Sequence, residues 1–251
     1  MKGYIFDYGG TLDTGGHHWG KVIWHAYQRQ QVPVTEAQIR EAYVYAERTL
    51  GRNPIIQPDF TFHKTLETKL RLQLQYLQEN SLRSALPHRS AKNSPLGAKR
   101  RFACEELSTL TSPLSTLHSQ LYAHTRQVTA HSREVLLQLH EQYPMVLVSN
   151  FYGNIAVVLR EFGFEGLFQQ IIESAVVGIR KPDPRIFTLG VEALGLQPEE
   201  VVVVGDSMNK DIIPAKKAGC HTVWFKGEGW TDDPVDESIP DKIITDLNEL
   251  I

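Results

Sequence analysis

Tyr4-Ile5-Phe6-Asp7-Tyr8-Gly9-Gly10-Thr11-Leu12-Asp13 is an apolar run that ends in a carboxylate and opens into glycines. Such a run predicts a strand whose C-terminal end carries Asp7, and open α/β sheets bind their ligands at that edge. A nucleophile belongs there. Val201 to Val204 is a second apolar run and it ends the same way, in Gly205-Asp206-Ser207-Met208-Asn209-Lys210-Asp211. Two strands can therefore deliver carboxylates to one crevice, and paired carboxylates suit a divalent cation.

Other parts of a phosphoryl-transfer site lie between these runs. Met145-Val146-Leu147-Val148 is a short apolar strand ending in Ser149-Asn150, which offers a hydroxyl, an amide and backbone N–H groups to a phosphate. Gly178-Ile179-Arg180-Lys181-Pro182-Asp183-Pro184 brings up a lysine just before a helix, a cation able to offset charge on both an attacking carboxylate and a phosphate. The order along the chain is Asp, Ser, Lys, Asp.

In these four stretches the sequence resembles the haloacid dehalogenase (HAD) superfamily of hydrolases: Asp7-x-Gly9-Gly10-Thr11, Ser149-Asn150, Lys181-Pro182, and Gly205-Asp206-Ser207 with Asp211. The resemblance implies a HAD-like, Rossmannoid core, a doubly wound parallel sheet formed by residues 1–14 and 130–251. It also implies an inserted α-helical cap, residues 15–129, that closes over the site and selects the substrate.

By the same resemblance the chain is expected to be a Mg²⁺-dependent phosphomonoester hydrolase acting on a small-molecule phosphate ester. Asp7 and Lys181 are then the catalytic residues, with Asp7 attacking phosphorus and an aspartyl-phosphate opened by water. Mg²⁺ is held by the Asp7 carboxylate, the Gly9 carbonyl and Asp206. Gly10, Thr11, Ser149, Asn150 and Lys181 bind the phosphate, and Asp211 holds metal-bound water or Lys181.

One position departs from the family pattern. Most of its phosphatases carry Asp two residues after the nucleophile as general acid and base, and this chain has Gly9. Acid–base assistance typically contributes about 10²–10⁴ in rate, so substrates with poor leaving groups suffer most. The alternatives on the same scaffold are a haloacid dehalogenase, a phosphonatase with Lys21 as the Schiff-base lysine, and a non-catalytic phospholigand-binding protein.

The chain of 251 residues, 41% hydrophobic and 22% charged, has the composition of an ordinary globular protein. Its net charge of −3 gives no reason to expect nucleic acid or an acidic membrane as partner, and monomer and homodimer both stay open. Cys104 and Cys220 stand in no metal or redox spacing and are expected as free thiols in a reducing compartment, the cytoplasm.

From about residue 130 strand and helix alternate: Ser132 as cap of a helix through Val135, Leu136 and Leu139, then Gly153 to Gly163 with Ile155, Val158, Leu159 and Phe162 inward, Asp183 to Gly195 and 209–218, with a last strand at 222–225. Residues 15–128 are helical in period instead, with Trp19, Val22, Ile23, Ala26 and Tyr27, then Ile39, Ala42, Tyr43, Ala46 and Leu50 after a Thr35-x-x-Gln38 capping box and ending at Gly51. Leu66, Leu70, Leu74 and Leu77, and Leu107, Leu110, Leu114, Leu117 and Leu121, continue it. Gly15-Gly16 and Val128 to Ala130 are hinge candidates, and Ser81 to Arg101 reads as a solvated loop rich in Arg and Lys. Asp13 is expected to act as a local turn acceptor. His17 and His18, near the first hinge, are candidates for the missing acid, though adjacent loop histidines are more often solvated. Trp19, Trp24 and Tyr27 are expected in the cap core rather than as a stacking platform.

Overall fold

The computed structural model describes residues 1–84, 111–231 and 234–251. They form two compact units: a sheet-containing unit of Met1–Val22, Ile56–Phe62 and Ala123–Ile251, and a helical unit of Ile23–Ile55 and His63–Tyr122.

The sheet unit is built on six parallel strands, β1 (Gly3–Phe6), β2 (Met145–Ser149), β3 (Gln170–Glu173), β4 (Val201–Gly205), β5 (His221–Phe225) and β6 (Lys242–Ile244), in the order β3-β2-β1-β4-β5-β6. The chain leaves β1 toward β2 and later returns to its other side as β4, so the crossover direction reverses between β1 and β4. That reversal opens the crevice in which doubly wound sheets hold ligands. Phe6 is in register with Val204, which brings Asp7 and Asp206 out at the same edge.

Every residue of β1, β2 and β4 is buried, which is why these strands read as unbroken apolar runs rather than as alternation. On one face Ile5, Val146, Val148, Val201 and Val203 join Ile186, Phe187, Val191 and Leu194 of helix Arg185–Leu194 in one cluster. Gly190 lets that helix lie close, since a β-carbon there would stand 2.7 Å from Ile5 Cδ1. β3 and β6 escape sequence reading because they are edge strands of four and three residues, each with an exposed polar end.

The helical unit contains α2 (Glu36–Arg52) and parts of α1 (Trp19–Arg29), α3 (Phe62–Ser84) and α4 (Thr111–His140). The capping box is present: Thr35 Oγ1 accepts the Gln38 N–H at 3.3 Å, and Gln38 Oε1 accepts the Thr35 N–H at 2.8 Å. Ile39, Ala42, Ala46 and Leu50 are buried, as are Leu66, Leu70, Leu74, Leu77, Leu117 and Leu121.

Three expectations need correction. The α2 helix runs one residue past Gly51 and closes at Asn53, whose N–H bonds the Thr49 carbonyl at 3.1 Å. The α3 helix continues through residues 81–84; residues 85–101, like Leu107 and Leu110, lie outside the described residues. Ser132 caps no helix, because α4 is continuous from Thr111 to His140, and its hydroxyl instead donates to the Leu12 carbonyl at 2.9 Å. The hinge candidate at 128–130 lies inside that helix, where the Thr129 hydroxyl bonds back to the Thr125 carbonyl.

Candidate active site

Two strand ends and one loop meet at the β1/β4 edge. Lys181 is 4% exposed and its Nζ lies 2.6 Å from Asp7 Oδ1 and 2.7 Å from Asp211 Oδ1. Asp211 sits in the π-helical turn Met208–Ile212 that follows β4, and its other oxygen accepts the Ser207 N–H at 3.0 Å. The Thr11 hydroxyl stands 3.2 Å from Asp7 Oδ2 and 3.2 Å from Asp206 Oδ1 and accepts the Asp206 N–H at 3.0 Å. A single hydroxyl proton serves one of those carboxylates at a time.

Glycines make this closeness possible. Gly10 has φ +104°, and a β-carbon on it would stand 2.4 Å from Asp206 Oδ1; one on Gly205 would stand 2.4 Å from Asp211 Cβ. Both carboxylates therefore lie directly against main chain that only glycine can supply.

Carboxylate oxygens of Asp7, Asp206 and Asp211 lie within 4.8 Å of one another, and one ammonium faces them. Burial pushes the Asp7 carboxyl up to about 6, with Lys181 opposing the rise and Asp211 adding to it. Burial, then the charges of Asp211 and Asp7, push Asp206 well above the ordinary carboxylate range. Burial alone would lower Lys181, but Asp211 and Asp7 reverse this and raise it. A carboxylate cluster with Asp7 and Asp211 buried and Asp206 half-buried, with oxygen donors only and too little cationic charge, fits a hard divalent ion such as Mg²⁺.

Other expected site residues are placed differently from one another. Ser149 is buried at the end of β2. Asn150 latches the main chain of Lys181, its Nδ2 donating to the Lys181 carbonyl at 3.1 Å and its Oδ1 accepting the Lys181 N–H at 3.0 Å. The Gly10 N–H, expected to bind phosphate, is donated to Asp13 Oδ1 at 2.7 Å, and Asp13 Oδ2 accepts the Trp19 indole N–H at 2.9 Å. At Gly9 the backbone is outside the left-handed region and a β-carbon would meet nothing within 4 Å.

The hinge candidate Gly15-Gly16 is gripped by the end of β5 and the segment after it. A β-carbon on Gly16 would stand 2.9 Å from the Phe225 carbonyl oxygen, and one on Gly20 would run into the Trp230 ring. Glu228 donates its N–H to His17 Nδ1 at 3.0 Å and accepts the His18 N–H at 2.9 Å. His18 Nδ1 accepts the Gly20 N–H at 3.0 Å. Both rings thus accept main-chain N–H groups through Nδ1 and shape this loop. Lys21 is buried with its Nζ 3.7 Å from Glu228 Oε1. Glu228 and Glu173 were beyond sequence reasoning, because neither stands in a motif or on a periodic face.

A family profile described as haloacid dehalogenase-like hydrolase matches residues 1–219. The chain belongs to this family of hydrolases. Among named relatives it is 41% identical over 83 residues to phosphoserine phosphatase of Thermus thermophilus, a stretch covering 33% of this chain and 32% of that protein. It is 34% identical over 88 residues to glyceraldehyde 3-phosphate phosphatase of Pyrococcus furiosus, covering 35% and 37%. With phosphoglycolate phosphatase of Vibrio cholerae it shares 30% over 118 residues, 46% and 52%. The chain thus spans about a third to a half of the length of the relatives it matches. A crystal structure of a HAD phosphatase from Thermococcus onnurineus matches 100% of this chain and 96% of its own at 22% identity and a TM-score of 0.51. A dehalogenase crystallised with an intermediate complex matches 100% and 95% at 17% identity and a TM-score of 0.58, a likeness of fold.

Proposed function

We propose that this hydrolase is a Mg²⁺-dependent phosphomonoesterase for a small phosphorylated metabolite, working in the cytoplasm. The observation that carries the reading is the buried Asp7–Lys181–Asp211 chain beside Asp206, in which the carboxylates outnumber the ammonium. The names of the matched relatives agree with it.

Asp7, Asp206 and the Gly9 carbonyl would hold the Mg²⁺, which supplies positive charge to the phosphate oxygens when bound. Asp7 attacks phosphorus, forming an O–P bond as the ester oxygen leaves, and water cleaves the resulting aspartyl-phosphate. Lys181, steered by Asp211 from one side and by Asn150 through its main chain, offsets charge on Asp7 and on the transferring group. Ser149 and the N–H of Thr11 are assigned to the phosphate. The Gly10 N–H, already given to Asp13, leaves that set. The inserted helices, residues 15–129, are assigned the role of cap and of substrate selection.

Gly9 provides no proton for the leaving group, so turnover favours esters of acidic alcohols. A phosphate-release screen over small esters, with and without Mg²⁺, on wild type, Asp7→Asn and Gly9→Asp tests the proposal. Phosphate released by wild type, and lost both in Asp7→Asn and without Mg²⁺, is the expected result. A wild type silent on every ester while Gly9→Asp turns over returns the chain to a dehalogenase, a phosphonatase or a binder.

A further inference from the structure

Glu173 ends β3 directly across the register from Ser149, yet it belongs to none of the four motifs. It is 5% exposed, and a carboxylate so deeply buried needs partners. Those partners are main-chain N–H groups of the loop that leaves Ser149. The Gly153 N–H lies 2.5 Å from Glu173 Oε1, and the N–H groups of Asn154 and Ile155 also donate to the carboxylate. Gly153 has φ +101°, the left-handed conformation that lets successive N–H groups converge on one anion.

The neighbouring residue holds the same loop one step earlier, Ser174 Oγ accepting the Phe151 N–H at 3.2 Å. Asn150, the residue between Ser149 and that grip, carries the two bonds to the Lys181 main chain. Loop 150–155 is therefore tied at one end to the lysine that meets Asp7 and at the other to Glu173.

We propose that Glu173 is a positioning residue for the hydrolytic reaction: by gathering the N–H groups of 153–155 it sets the turn that presents Ser149 and, through Asn150, the main chain of Lys181. The inference rests on the phosphatase reading above. A carboxylate is suited to this task because two oxygens can accept three N–H groups together, whereas a glutamine offers one accepting oxygen and turns an NH₂ toward the remaining donors.

The test compares wild type, Glu173→Gln and Glu173→Ala by kcat and KM on an aryl phosphate, by the inhibition constant of inorganic phosphate, and by circular dichroism. In Glu173→Ala, KM and the phosphate inhibition constant rise about tenfold or more, the scale on which small misplacements of binding groups act. Added formate, refilling the vacated N–H cluster, brings both constants back toward wild type while leaving wild type itself unaffected. Glu173→Gln, which keeps one acceptor and the side-chain volume, lies between the two and secures the comparison should the alanine variant unfold. Phosphate and ester constants unchanged in folded Glu173→Gln and Glu173→Ala overturn the positioning role while the phosphatase reading stands. A wild type that neither releases nor binds phosphate overturns both.

Discussion

The C-terminal edge of the sheet carries buried or half-buried carboxylates in two places, and they are completed in opposite ways. At β1/β4, Asp7, Asp206 and Asp211 crowd together around one ammonium and one hydroxyl. At β2/β3, Glu173 meets, among the described residues, main-chain N–H groups that its own neighbourhood supplies. The first cluster holds like charges with few opposing ones and is eased by an added cation; the second has main-chain donors that oppose, without cancelling, the effect of burial. On the readings proposed above, the difference separates a site assembled for chemistry from a brace assembled for position, although both begin as a carboxylate at a strand end.

Removing the reactive carboxylate gives the largest contrast. Asp7→Asn lowers phosphate release by at least about 10³-fold, as loss of a nucleophile does. The same variant, free of metal, melts at a higher temperature than wild type, because one of the crowded charges is gone. Thermal melts beside rate measurements check both; a metal-free Asp7→Asn less stable than wild type would show that Lys181 depends on that charge more than the aspartates suffer from it.

Gly9→Asp acts at the same edge in the other direction. Space for the side chain exists, since nothing lies within 4 Å of a β-carbon there and the backbone is not left-handed. Alkyl phosphate turnover rises by up to about 10²-fold, the lower end of general acid assistance, while esters of acidic phenols change little. An equal effect on both substrate classes would mean that the new carboxylate acts through the metal and not as an acid.

Metal binding sharpens the contrast through stability. Mg²⁺ at about a hundred times its dissociation constant adds about 2.7 kcal/mol to wild type by mass action. Asp206→Asn largely abolishes that increment and raises metal-free stability, whereas Glu173→Gln keeps the Mg²⁺ increment. Melting curves against Mg²⁺ concentration for the three proteins decide the matter, and an Asp206→Asn that retains the full increment would remove Asp206 from the ion's ligands.

How much of this was legible in the sequence differs by region for the same physical reasons. β1, β2 and β4 are covered on both faces, so burial wrote itself as continuous apolar runs, and Asp7, Ser149 and Asp206 could be read at their ends. The edge strands β3 and β6 bury only two of four and one of three residues and left no comparable signal, so Glu173 had no strand end to stand on. The division of labour at the site was hidden as well. Nothing in the spacing distinguishes Asn150 as a donor to phosphate from Asn150 as a latch on Lys181, or tells that Asp13 takes the Gly10 N–H, because both depend on where separate loops meet. Ser132 misled for a related reason: a cap residue and a helix-interior serine bonding the Leu12 carbonyl look alike in sequence.

The smallest expected effect tests whether the brace is as complete as its geometry implies. Burial raises the Glu173 carboxyl above its ordinary value, and the N–H groups of Gly153, Asn154 and Ile155 pull the other way without fully offsetting it. The folded chain therefore holds this proton more tightly than the unfolded chain does. Below the ordinary carboxyl value both states are protonated and the favourable contribution is fully present. As pH rises, the unfolded chain releases its proton first and stability falls until the folded value is passed. Asp7 and Asp206 impose the same sign of slope, but they are present in both wild type and Glu173→Gln, so subtracting the two stability curves isolates Glu173. The advantage of wild type over Glu173→Gln shrinks from acid toward neutral pH in urea melts at fixed Mg²⁺. An advantage that grows over that range would mean that the three N–H groups outweigh burial, making the ionised carboxylate a net source of stability and the β2/β3 edge still more unlike the β1/β4 cluster.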